Sequence, residues 1–166
     1  MSRKISLFFI ILVVIVTGCG GISEKEMKTE AERMAGESFE GKAREPNEKI
    51  ESGSFFLPEE YTVSSKKPNN AVLKKGEQKF LLFINNNEKG DSKESYKTLQ
   101  SSYEELTINK TFENKEKFGY LLVYKTNEGK YEVTAGIGGN KVSTIAEKEA
   151  VPESAKKMMK MLKSVQ

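Results

Sequence analysis

The chain has 166 residues, 37% hydrophobic and 31% charged, with 27 basic against 24 acidic side chains and a net charge of +3. It has no His, no Trp and one Cys, which excludes Ser-His-Asp and Cys-His catalysis, zinc sites built on imidazole or several thiolates, and any intramolecular disulfide. The near balance of charge gives no nucleic-acid footprint, and the lone Asp91 cannot supply an EF-hand loop.

Arg3 and Lys4 precede an unbroken apolar run from Leu7 to Val16, which Ile5 extends. A membrane-crossing helix needs about 20 apolar residues, and this run is roughly half as long. A basic start, a short apolar core and small residues at its exit describe a secretory signal peptide over 1–18. Its exit, Val16-Thr17-Gly18-Cys19, resembles the bacterial lipobox. The resemblance implies diacylglycerol on the Cys19 thiol, cleavage between Gly18 and Cys19, and anchorage on the extracytoplasmic face of the cell membrane. Two acyl chains suffice for lasting attachment, at about 0.8 kcal/mol per buried methylene. Loss of Arg3 and Lys4 brings the excess of basic over acidic side chains from three to one.

Residues 19–52 are rich in Glu, Lys, Ser and Gly and poor in large apolar residues. Such a composition buries too little surface to fold alone, so the segment reads as a lipidated N-terminus and flexible tether. As a random coil it reaches roughly 30–35 Å. Met27, Ala31, Met34 and Ala35 follow helical spacing among charges, which fits a transient solvated helix.

From Gly53 onward the pattern is that of a single domain, 53–166. Short strands are expected at 54–57, 61–65 and 71–74. Gln78–Asn85 carries the run Phe80-Leu81-Leu82-Phe83-Ile84, as a strand buried on both faces does. Asp91 with Glu94 three residues on forms a capping-box pattern. Tyr96, Leu99, Tyr103 and Leu106 recur at helical spacing, so 92–106 is expected to be a helix packed on a sheet. Strands follow at 108–113, 118–125, 130–137 and 141–146, and the short turns between them imply antiparallel pairing. Pro152 opens a last helix, whose Ala155, Met158, Met159, Leu162 and Val165 stripe closes the core while Lys156, Lys157, Lys160 and Lys163 stay wet.

Three kinds of tempting motif are set aside. Ala135–Lys141 is glycine-rich but lacks both the Walker and the dinucleotide pattern, and it lies between two strands, where no helix N-terminus meets a phosphate. Adjacent carboxylates at Glu59-Glu60 and at Glu104-Glu105 point apart, so neither pair forms a general acid/base dyad. The sequon Asn109-Lys110-Thr111 has little meaning in a bacterial lipoprotein.

The order of strands, helix, strands and C-terminal helix predicts an α+β fold, with an antiparallel sheet packed against two helices. The Pro58-Glu59-Glu60-Tyr61 step, the central aromatic strand, the meander and the Met161-Leu162-Lys163-Ser164-Val165 ending resemble the Mog1/PsbP class. Many small Gram-positive lipoproteins of unassigned role are similar. That resemblance implies a binding or accessory domain rather than an enzyme. No metal is expected from these residue types, and no cofactor beyond the diacylglycerol that the lipobox implies at Cys19. The expectation is therefore an accessory lipoprotein that binds another envelope protein, with an exposed apolar patch of roughly several hundred Å² as its signature. A small-ligand carrier or sensor is the alternative, its pocket lined by Tyr96, Tyr103, Tyr120, Tyr124 and Tyr131 between the first helix and the sheet. A glutamate-dependent hydrolase would require two carboxylates converging in one cleft.

Overall fold

The computed structural model describes residues 21–166. Val16, Thr17, Gly18 and Cys19 lie outside them. The described chain begins with a helix, α1 (Glu24–Glu40), where a tether is expected. Its start is a capping box: the Ser23 side chain accepts from the Glu26 amide, and the Glu26 carboxylate accepts from the Ser23 amide. Met27, Ala31, Ala35 and Phe39, each four residues apart, form a fully buried stripe.

The flexible tether over 19–52 is thus corrected for its described part. Composition undercounts this helix because two of the stripe residues are alanines. Small alanines let α1 approach closely, and α1 packs mainly on the C-terminal helix. Phe39 then reaches the sheet at Gly119, where a Cβ would stand 2.7 Å from its ring. Burying Phe39 and Met27 contributes roughly 1.5–3 kcal/mol each. The strand pair β1 (Glu48–Ile50) and β2 (Gly53–Phe55) also precedes or straddles the expected domain boundary, with Ile50 and Phe55 in the core.

Seven further strands form one antiparallel sheet: β3 (Thr62–Lys67), β4 (Asn70–Lys75), β5 (Gln78–Phe83), β6 (Ile108–Glu113), β7 (Phe118–Lys125), β8 (Tyr131–Ile137) and β9 (Asn140–Ala146). Their order across the sheet is β3-β4-β5-β9-β8-β7-β6. The α+β class and the antiparallel sheet are as expected, but three α-helices accompany the sheet rather than two. The glycine-rich segment 135–141 runs from the end of β8 to the start of β9, with the tight turn at Gly138 and Gly139. Gly138 takes φ +55° there, and a Cβ on it would collide with the Lys89 carbonyl and Gly90 backbone.

Helix α3 (Val151–Lys163) buries Ala155, Met158, Met159 and Leu162, as its spacing predicts, and Met161 in addition. With α1 it covers the inner sheet face, where Leu73, Phe80, Leu82, Leu121, Val123, Val133 and Val142 point. The last residue is tied in as well: Gln166 and Ser54 exchange backbone hydrogen bonds of 3.1 and 3.0 Å.

Helix α2 (Glu94–Ser101) lies on the outer face and is shorter than the expected 92–106. Asp91 does not cap it. The N-cap residue is Lys93, with no side-chain cap bond. Glu88, from the preceding loop, supplies the acceptor instead. It takes hydrogen bonds from the Ser95 hydroxyl at 2.7 Å, the Ser92 hydroxyl at 2.9 Å and the Asn85 amide at 3.0 Å. These bonds, led by that from Ser95, hold its carboxyl below the usual value, against an opposing effect of burial. Tyr103 and Leu106 fall beyond the helix yet still pack against the same aromatic cluster.

Candidate interaction surface

The outer sheet face is divided in two, because α2 is only eight residues long. Over β7 the sheet is covered. Phe118, Tyr120 and Leu122 are buried there beneath Tyr96, Leu99, Tyr103 and Leu106. Tyr96 meets Phe118 edge-on at 5.4 Å between centroids and lies 5.7 Å from Tyr120, while Tyr103 lies 5.5 Å from Tyr124. Such pairs add about 0.5–1.5 kcal/mol beyond area burial.

Four of the five tyrosines singled out by the sequence therefore come together, as a packed layer. The Tyr96 hydroxyl donates to Asn109 at 3.0 Å and that of Tyr103 to Glu132 at 2.8 Å. Burial, and then the Glu132 bond, push Tyr103 up to about 12. Tyr120 is fully buried, its hydroxyl has no partner among the described residues, and burial raises its pKa. Its ring fills the space over Gly136, where any Cβ would collide with it. Tyr131 does not join the group. It sits on the inner face at the start of α1, donating to Glu24 at 3.0 Å.

Over β4, β5 and β9 the outer face is open. Leu81 and Ile145 are each 49% exposed. With Val72 they line a shallow hollow of about 250 Å³. The expected burial of 80–84 on both faces is corrected: Phe80, Leu82 and Ile84 are buried, but Leu81 and the half-buried Phe83 face outward. Lysines interleave with these apolar residues. Lys74 stands opposite Lys79, and Lys141 stands opposite Phe83 with its ammonium 5.7 Å from the ring centroid. Nearby Lys66 and Lys75 have carboxylate partners, Glu48 and Glu60. Among the described residues, Lys74, Lys79 and Lys141 have none within ion-pair distance. Glu132 also lines the hollow, but it accepts the Tyr103 hydroxyl.

Two other depressions have charged rather than apolar linings. A groove of about 860 Å³ runs past Glu24, Tyr103, Glu104, Glu105, Tyr124 and Lys125; Glu24 pairs there with Lys28 and with Lys125, each at 3.6 Å, and Glu104 and Glu105 leave its lining acidic. A cleft of about 470 Å³ holds Lys42, Arg44, Lys160 and Lys163. Lys163 donates to the Phe39 carbonyl, so its charge caps the end of α1. No group of three or more His, Cys, Asp or Glu side chains suited to a metal occurs among the described residues. No helix of the described residues is long and apolar enough to cross a membrane.

Sequence reasoning did not single out Leu81, Ile145, Lys74, Lys79 or Lys141. The alternation of Lys79, Leu81 and Phe83 is a weak signal of an outward face, hidden by the apolar Leu82 and Phe80 between them. No protein family, curated protein or solved structure matches the chain.

Proposed function

We propose that this protein is a lipid-anchored extracytoplasmic accessory module, acylated at Cys19, which acts by binding another envelope protein through the open half of its sheet. The observation that carries the binding role is the exposed Leu81–Ile145 hollow, with Lys79 in its lining and Lys74 and Lys141 beside it on the same sheet face. Large exposed apolar patches mark contact sites on protein surfaces, and Leu81 and Ile145 are the exposed large hydrophobic residues among the described residues. The anchor rests on the Val16-Thr17-Gly18-Cys19 lipobox. The Mog1/PsbP resemblance supports the accessory role, in that an antiparallel sheet closed by a C-terminal helix is the layout it implies. A non-enzymatic role agrees with the missing His and with the engagement of Tyr96, Tyr103 and Glu88 in structural hydrogen bonds.

Helix α1 alters how the anchor would work. Ser23 caps α1, so only four chain steps separate it from Cys19, a span of at most ~14 Å. The domain would sit close to the bilayer rather than at the end of a long tether. Labelled palmitate fed to cells should be incorporated by the native chain and not by Cys19→Ala. Labelling of the Cys19→Ala chain, or none of the native chain, would sink the anchor.

A further inference from the structure

The open face has a shape and a charge that specify its occupant. Its centre is concave and apolar, with Val72, Leu81 and Ile145 around a hollow of about 250 Å³, room for one large side chain. Its lining carries Lys79 and one carboxylate, Glu132, which accepts the Tyr103 hydroxyl. Lys74, opposite Lys79, and Lys141, opposite Phe83, flank it on the same face, and none of the three lysines has an ion-pair partner among the described residues, so the charge of the face is net positive. Lysines such as Lys66, Lys93, Lys130 and Lys157 are paired with carboxylates; what distinguishes Lys74, Lys79 and Lys141 is that they gather around exposed apolar residues on one sheet face. A net-positive face around an apolar centre is complementary to an acidic segment carrying an apolar anchor.

Two other occupants fit less well. A second copy meeting this face about a two-fold axis would bring one net-positive face, with its Lys74, Lys79 and Lys141, against another, like charge on like. A bilayer accepts protruding apolar side chains between basic ones, whereas here the apolar residues surround a depression.

We propose that this face docks an acidic segment of another envelope protein. One apolar side chain seats between Leu81 and Ile145, and flanking carboxylates meet Lys74, Lys79 and Lys141. This inference rests on the accessory-module reading and names the chemistry of the partner. The loss of any one lysine weakens capture, and charge reversal repels the segment.

The test uses the full chain in living cells, with benzoylphenylalanine in place of Leu81 or Ile145 and, as controls, in place of Lys25 on α1 or Lys97 on α2. Adducts are mapped by mass spectrometry. The expected result is a polypeptide adduct at positions 81 and 145, mapped to an acidic segment. It should fall roughly tenfold, the effect of about 1.4 kcal/mol, in the Lys74→Glu/Lys79→Glu chain. A Lys25→Glu/Lys97→Glu chain with the same change in net charge should retain it. Adducts at 81 and 145 with lipid only, with a second copy, or with a segment that is not acidic would overturn the proposal, as would insensitivity to charge reversal. Protein adducts only at 25 or 97 would overturn this docking face and leave the accessory role standing. No protein adduct at any of the four positions would overturn both.

Discussion

Strands β5 and β7 carry nearly the same apolar run, Phe80-Leu81-Leu82-Phe83 in one and Tyr120-Leu121-Leu122-Val123 in the other. Their inner faces are alike, since Phe80, Leu82, Leu121 and Val123 all lie in the main core. Their outer faces are not. Leu122 is 1% exposed and Leu81 is 49% exposed. The reason lies in neither strand. A helix of eight residues, α2, followed by Tyr103 and Leu106, roofs β7 and stops short of β5. An apolar residue on a sheet is therefore core or contact surface according to what the connecting chain places over it.

Replacement of side chains in the two regions sharpens that contrast. The largest effect is expected beneath β7, where Phe39 of α1 meets Gly119. Phe39→Ala should cost about 3–5 kcal/mol of unfolding free energy, measured by urea titration. A cost below ~1 kcal/mol would return α1 to the role of a loose tether. The matched pair comes next. Leu122→Ala should cost about 2–5 kcal/mol, and Leu81→Ala no more than ~1 kcal/mol. Equal losses would break the distinction between covered and open halves.

Within the covered half, the roof itself can be probed. A methyl group at Gly136 would collide with the Tyr120 ring, so Gly136→Ala should destabilise by about 1–3 kcal/mol through overpacking. Tyr120→Phe removes a buried hydroxyl without a partner among the described residues. It should leave the protein as stable or up to ~1 kcal/mol more so in thermal melts. A clear loss would mean that the hydroxyl has a partner.

The smallest effect concerns the cap of α2. The Glu88 carboxyl is held below its ordinary value of 4.5, chiefly by the Ser95 hydroxyl. Its contribution to stability is therefore complete above pH 4.5 and is lost as pH falls through the lower folded value. The gap in stability between the native chain and Glu88→Gln should be constant near neutral pH and should narrow in acid. A gap that stayed unchanged into acid would separate Glu88 from the cap.

Local order was legible in the sequence because it rests on nearest-neighbour physics. Period-two and period-3.6 patterns, with glycine at the turns, locate the strands from β4 through β9 within a residue or two and give the closing face of α3. The capping box at Ser23 and Glu26 was equally present in the letters. The reading of 19–52 rests on composition instead, which cannot tell an alanine stripe in solvent from one pressed against another helix. What the tertiary structure decided was coverage. Whether Met27 and Phe39 are core depends on α3, more than a hundred residues away. Whether Asp91 caps α2 depends on competition from Glu88, and whether Leu81 is buried depends on where α2 ends. Local propensity acts over a few residues, whereas burial is settled by which surfaces meet, and the residues that meet are distant in the chain.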